Sequence, residues 1–385
     1  MESRDRVLAT LQHREPDRIP FDLGGSPNAG IHVIAYERLL EFWGESKPIT
    51  VADIVAQRAV VDEADLRRLG VDVRLVDMLP SIAQRRISQL EEDERYSYFT
   101  DDWGITWMKP KYRGLYYDLK RSPLAGARLS ASKIDALPLP PLPTEDEVTK
   151  LRERAKKYRE DGFAVVLDGL GGGMFETACF IRGHKDFLMD MLRRPNLAAR
   201  LLDKLLYYRM QYWKYMLSHL GDLVDVVSES DDIATQERLL ISPKLYRSLL
   251  KPRHRELFNH IRKNAESQVF ILFHSCGAVR ELIPDLIEAG IDALNPVQVS
   301  AAGMDTKVLK REFGRDLTFW GGGVDTQHVL PYGRPSDVKD EVKRRIEDLG
   351  PGGGFVFAAV HNIQPGVPPE NIMAMWEALQ EWGKY

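Results

Sequence analysis

The stretch Phe273-His274-Ser275-Cys276-Gly277 sets an imidazole and a thiol two residues apart, at the end of the apolar run 269–274. Residues two apart on a strand point the same way, so the spacing predicts that His274 and Cys276 share one face while Ser275 turns from it. A neutral imidazole and a thiolate on one face are the borderline-soft donors that Zn²⁺ takes, and a catalytic zinc needs three protein ligands with the fourth position open. His361, which ends the apolar run 355–361, is the third donor the pattern offers. The pair equally fits a small core thiol beside a hydrogen-bonded core histidine, because H-x-C is too short a pattern to separate the two.

Carboxylates collect at other run ends. Glu229, Asp231 and Asp232 fall within four positions at the end of the run 224–229, and Gln236 follows them. Such a group repels itself unless a cation or donors sit among its members, and one member could keep its proton and act as an acid. For Asp231 or Asp232 the alternative is a cap on the next helix. Asp168 closes the run 164–168. The glycine runs 321–323 and 352–354 lack the lysine or hydroxyl spacing of a phosphate loop, which favours close backbone packing. Cys179 shares a helical stripe with Phe175 and Ala178, and Met373 with Trp376, so both read as core.

The elements that must position these groups alternate regularly. From residue 146 on, amphipathic segments lead into the apolar runs 164–168, 224–229, 269–274, 293–297, 317–320 and 355–361, and two earlier runs, 18–23 and 71–76, make eight. Apolar strands alternating with helices mean parallel strands under a helical layer. Eight of them predict an α/β fold: one (β/α)8 TIM barrel over residues 1–385, with reactive groups at the C-terminal strand ends. An open doubly wound sheet is the alternative, but no G-x-G-x-x-G follows the first strand and no Walker motif occurs. Residues 53–69 read as helical, and 243–265 as one helix. Residues 85–145, with Tyr96, Tyr98, Phe99, Trp103, Ile105 and Trp107 among turn residues, read as an inserted hairpin-rich elaboration.

The chain has 385 residues, 44% of them hydrophobic, and its 53 basic against 57 acidic side chains leave a net charge of −4. That balance offers no footprint for nucleic acid, and no run of 18 apolar residues could span a membrane. The N-terminus, MESRDRVLATLQHREPDR, is too charged for a secretory signal, and two cysteines predict a reducing cytoplasm. A homodimer is among the assemblies such a barrel can form.

Taken together, Glu15-Pro16-Asp17-Arg18-Ile19-Pro20, Asp231-Asp232-x-x-x-Gln236, Phe273-His274-x-Cys276-Gly277, Trp320-Gly321-Gly322-Gly323-Val324-Asp325-Thr326 and the stretch from Gly353-Gly354-Phe355 to His361-Asn362-Ile363 resemble the uroporphyrinogen decarboxylase superfamily. The resemblance covers nearly the whole chain and implies a (β/α)8 barrel with its site at the C-terminal mouth. One kind of member decarboxylates uroporphyrinogen and carries an R-Q-A-G-R motif that grips carboxylates; here Pro20 is followed by Phe21-Asp22-Leu23-Gly24-Gly25. The other kind is the zinc-dependent corrinoid methyltransferases, whose ligands are an H-x-C pair and a later cysteine. His274 and Cys276 match the pair, and His361 stands at the late position.

On that resemblance the chain is a zinc methyltransferase that moves a methyl group between a small methylated compound, such as a methyl ether, and a corrinoid protein. Asp231, Asp232 and Glu229 are its acid candidates, and Arg18, Asp168 and Gln236 its substrate-binding candidates. Trp103, Trp107 and Tyr116 are candidates to wall an aromatic substrate. The corrinoid must come on a partner, since no D-x-H-x-x-G run occurs. A polycarboxylate decarboxylase and a non-catalytic ligand-binding barrel are the competing readings.

Overall fold

The structure is a computed structural model describing residues 1–126, 128–169 and 171–385. Seven strands pair in chain order, each parallel to the one before: β1 (Val73–Val76), β2 (Ala164–Asp168), β3 (Val226–Ser230), β4 (Phe270–His274), β5 (Ala293–Asn295), β6 (Thr318–Trp320) and β7 (Phe355–Val356). Val73, Val166, Val226, Leu272, Trp320 and Val356 form the inner cluster. Their neighbours Leu167, Val227, Phe273, Leu294 and Phe319 join the larger cluster beneath the helices. This alternation is the period-two rule of a strand with a core on each face.

Residues 20–22 fill the eighth position. The Phe357 N–H donates to the Pro20 carbonyl (2.8 Å), the Asp22 N–H to the Phe357 carbonyl (2.9 Å) and the Asp72 N–H to the Phe21 carbonyl (2.9 Å). The segment thus bridges β7 to β1 and closes a (β/α)8 barrel. It is shorter than the strand expected over 18–23, because Pro20 has no N–H to give to a ladder. The glycine run after β6 does serve close packing: a Cβ on Gly323 would lie 2.3 Å from the Phe357 ring.

Two helical expectations change. Residues 53–69 hold a small antiparallel ribbon, Val51–Asp53 with Arg58–Ala59, before the helix Glu63–Leu69. The Asp53 carboxylate accepts from the Val55 and Ala56 N–H groups (2.8 and 3.1 Å), a local turn that competes with helix. Over 243–265 the chain passes through a π turn, Tyr246–Leu250, before Lys251–Asn264, where Pro252 lacks the donor a regular α-helix would use.

The hairpin-rich expectation holds as a four-stranded antiparallel meander, Glu91–Glu92, Tyr96–Thr100, Thr106–Pro110 and Asp118–Arg121. Phe99 meets Tyr117 edge-on at 5.1 Å, and Trp107 meets Phe180 at 5.3 Å. The second contact ties the meander to α1 (Met174–Arg182), which starts just beyond the C-terminal end of β2.

Candidate active site

His274, Cys276 and His361 each offer one ligand atom, and the three atoms lie within 4.8 Å of one another. His274 is the last residue of β4, and Cys276 sits in the loop that follows, its Sγ 3.4 Å from His274 Nε2. Ser275 turns away and is fully buried, its hydroxyl accepting from the Ile233 N–H at 3.4 Å. The His361 ring meets the His274 ring edge-on at 5.5 Å.

Asn295 decides which His274 nitrogen is free. Its amide nitrogen donates to the Trp320 carbonyl (3.0 Å), which leaves its Oδ1 facing His274 Nδ1 at 2.6 Å. An amide oxygen only accepts, so Nδ1 carries the proton and the lone pair is on Nε2, the atom beside the thiol. Burial, with His274 adding to it, pushes the His361 pKa down to about 3, so this ring stays neutral and able to ligate. Burial pushes the Cys276 thiol well up, and the Asp232 and Glu176 carboxylates add to the effect. A metal cation is the partner that would recover a thiolate there.

Two neutral imidazoles and one thiol, converging at a strand mouth, fit zinc with an open position. Asn295→Leu is expected to lower zinc affinity by about 10- to 100-fold, whereas Asn295→Asp, which keeps an acceptor, should hold it near the wild-type value. Competition with a chromophoric chelator measures both. An unchanged affinity in Asn295→Leu would mean that the tautomer is set elsewhere.

The acidic candidates separate. Asp231 is buried, its Oδ1 taking the Phe175 and Glu176 N–H groups (2.8 and 3.0 Å) at the start of α1 and its Oδ2 facing His254 Nε2 at 2.8 Å. Both oxygens are committed to hydrogen bonds, and the helix that Asp231 caps is α1, earlier in the chain, rather than the next helix expected from the sequence. Asp232 accepts from the Cys276 N–H at 2.7 Å and lies 3.7 Å from His274 Nε2, which makes it a brace for the thiol loop. Glu229 points outward beneath α2 (Pro195–Leu220), accepting from the Trp213 indole and pairing with Arg209 at 3.2 Å. It is withdrawn from the mouth because Val226, Ser228 and Ser230 take the inward positions of β3.

The substrate candidates separate too. Arg18 binds both Asp72 oxygens (2.8 and 3.0 Å) ahead of β1, at the end of the barrel opposite the mouth. That removes it as a substrate ligand. Gln236 is exposed, and its backbone carbonyl accepts from the Ala302 N–H at 2.8 Å. Asp168 is buried at the mouth end of β2.

A cavity of about 650 Å³ lies between the meander, α1 and the chain leaving β1. Trp103, Trp107, Phe99, Phe180 and Tyr208 wall it, and Glu176 borders it. Tyr116 is elsewhere, with its hydroxyl on the Gln364 side chain. Glu176 is the functional candidate that the sequence reading missed. Burial, with Asp232 and Asp231 nearby, pushes its pKa up to about 8, which favours the protonated form. Its only sequence mark is its place three residues after Gly173, where its carboxylate accepts the Gly173 N–H (3.2 Å), and that pattern reads as an ordinary helix cap.

The profile of the family described as Uroporphyrinogen decarboxylase (URO-D) matches residues 116–382. The uroporphyrinogen decarboxylase of Geobacter metallireducens is 25% identical over 61% of this chain and 66% of its own length. That of Teredinibacter turnerae is 25% identical over 70% of this chain and 73% of its own. Among solved structures, a methyltransferase from Methanosarcina mazei shares the fold, with a TM-score of 0.67 at 18% identity over 99% of both chains. A barrel closed by residues 20–22, with its polar groups gathered at the C-terminal mouth, agrees with these matches: the chain belongs to the uroporphyrinogen decarboxylase (URO-D) family.

Proposed function

We propose that this protein is a zinc-dependent methyltransferase that moves a methyl group between a small methylated compound, a methyl ether above all, and a corrinoid carried by a separate protein. The donor set of His274, Cys276 and His361 carries this reading. Zinc held there would supply Lewis acidity to the oxygen that leaves the methyl group. Two neutral imidazoles and one thiolate bring a single negative charge, which favours polarising an oxygen over activating a thiol. Glu176 holds a proton at the cavity edge for the departing alkoxide or phenoxide. Trp103 and Trp107 keep water from the substrate's apolar body, and the corrinoid protein docks over the mouth. Such a reduced cofactor belongs in a reducing compartment, the setting in which Cys179 and Cys276 stay free thiols. No described helix is long and apolar enough to cross a membrane.

Mixing the zinc-loaded protein with cob(I)alamin and an aryl methyl ether should form methylcobalamin, read from its absorption spectrum. Failure with a broad panel of methyl ethers, amines and thiols would count decisively against the class.

Uroporphyrinogen should pass unchanged through the same protein. A substrate ringed by carboxylates needs several guanidinium partners. Here the loop after Pro20 offers Asp22, already bound to the Trp320 indole (2.8 Å), while Arg18 is at the far end and Arg58 is held by Asp77. Chromatography of the products checks this, and steady decarboxylation would overturn the assignment.

A further inference from the structure

The cavity beside the meander has no free cation in its wall. Among the described residues that line it, Arg85 and Arg86 carry the only positive charges, and each is spent on a carboxylate of the same wall. Arg85 binds Glu147. Arg86 Nη2 meets Asp102 Oδ2 at 2.6 Å, and its Nη1 donates to the Thr100 carbonyl at 2.8 Å. Backbone donors are scarce as well. Pro140, Pro141 and Pro143 line one side, and a proline has no N–H to give. Asp101 consumes donors of the meander, accepting from the Trp103 and Ile105 N–H groups (2.9 and 3.0 Å) and from the Trp107 indole (2.9 Å).

Aromatic surface is what the wall does offer. Trp107 meets Phe180 edge-on at 5.3 Å, and Trp103 meets Tyr208 edge-on at 5.2 Å, so ring pairs join the meander to both α1 and α2. Phe99 stacks on Trp107 with centroids 6.5 Å apart. Faces of this kind take flat apolar rings in offset or edge-on packing. At about 650 Å³ the space falls in the range that encloses a drug-sized ligand, well beyond one methoxy-bearing ring. The prolines, with φ locked, keep their side of it preformed. Its edge also adjoins the metal-ligand loop. The N–H of Glu176, which borders the cavity, donates to Asp231 (3.0 Å), and the next residue, Asp232, holds the Cys276 N–H (2.7 Å).

We propose that this cavity selects an aryl methyl ether of two or more rings that carries no carboxylate. An anionic group entering it would be buried without a cation, or would take an arginine from Glu147 or Asp102 and leave that carboxylate unpaired. Either outcome weakens binding relative to a neutral molecule of the same shape. A second ring, in contrast, adds apolar area against faces already in place. The inference rests on the methyltransferase reading only in calling the ligand the methyl donor; its test is one of binding and needs neither metal nor corrinoid.

Ligand-observed NMR titration with anisole, 2-methoxynaphthalene and 6-methoxy-2-naphthoate varies ring count and charge in turn. The neutral naphthalene should bind about tenfold or more tightly than anisole, and tighter than the naphthoate by a similar factor. Asp102→Asn, at an exposed position, releases Arg86 from its carboxylate. That variant should bind the naphthoate about fivefold or more tightly than the wild type does, with the neutral naphthalene unchanged. Trp103→Ala should weaken the neutral naphthalene about tenfold. If it does not fold, Thr177→Trp fills the space from a half-buried wall position and should give a similar loss. The binding pattern without methyl transfer would uphold the cavity's selectivity and overturn only the methyltransferase reading. Anisole or the naphthoate binding as well as the neutral naphthalene, no binding of the latter, no gain for the naphthoate in Asp102→Asn, or an undiminished affinity in the folded wall variant would each overturn the proposal.

Discussion

Replacing Cys276 with alanine is expected to lower methyl transfer by about three orders of magnitude, the equivalent of roughly 4 kcal/mol of transition-state stabilisation. With zinc bound, Cys276 would supply the one anionic donor among the three groups that converge at the mouth. Without it two neutral imidazoles remain, too few to retain zinc at ordinary free concentrations. The fold should survive, because Cys276 sits in a partly exposed loop whose backbone is tied by its own N–H to Asp232 (2.7 Å) and by the Gly277 N–H to Gln298 (2.7 Å). Circular dichroism close to wild type together with lost activity is the expected pair of results. Activity that persists in the folded variant would take the thiol out of the chemistry.

Glu176→Gln should have the next largest effect. Glutamine keeps the shape and can still accept the Gly173 N–H, so the start of α1 is preserved, but it has no carboxyl proton to deliver. A kcat lowered by about 10²- to 10⁴-fold with little change in KM is expected for an alkyl or simple aryl methyl ether. A nitrophenyl methyl ether leaves as a stable anion and needs no proton, so with it the variant should approach wild-type turnover. An equal loss with both ethers would mean that Glu176 positions α1 and does not act as an acid.

The residues that proved legible in sequence are those whose place follows from strand polarity alone. An apolar run ending in His274, and another leading to His361, puts both side chains at the mouth of any parallel barrel. The same rule, applied strictly, would also have placed Arg18 and Asp72 at the opposite end, since both precede their strands. Glu229 was misjudged by one residue of parity. Its register partner is the outward-facing Phe273, and Ser230 pairs with the inward-facing His274.

Asp231 was ambiguous for a different reason. What engages its second oxygen is His254, on a helix packed behind the sheet, and such a partner cannot be read from local spacing. Glu176 was hidden by a local pattern that already had an explanation. It sits at a helix-cap position. A raised pKa of this kind arises from burial by distant segments, and only tertiary structure supplies that.

The most direct test of the metal-centred account is zinc K-edge X-ray absorption on the protein as purified. The account predicts one zinc per chain, with a single sulfur at about 2.3 Å and two imidazole nitrogens at about 2.0–2.1 Å in its first shell. A shell without sulfur, a shell of several sulfurs, or a protein that holds no zinc when supplied with it would contradict the site formed by His274, Cys276 and His361.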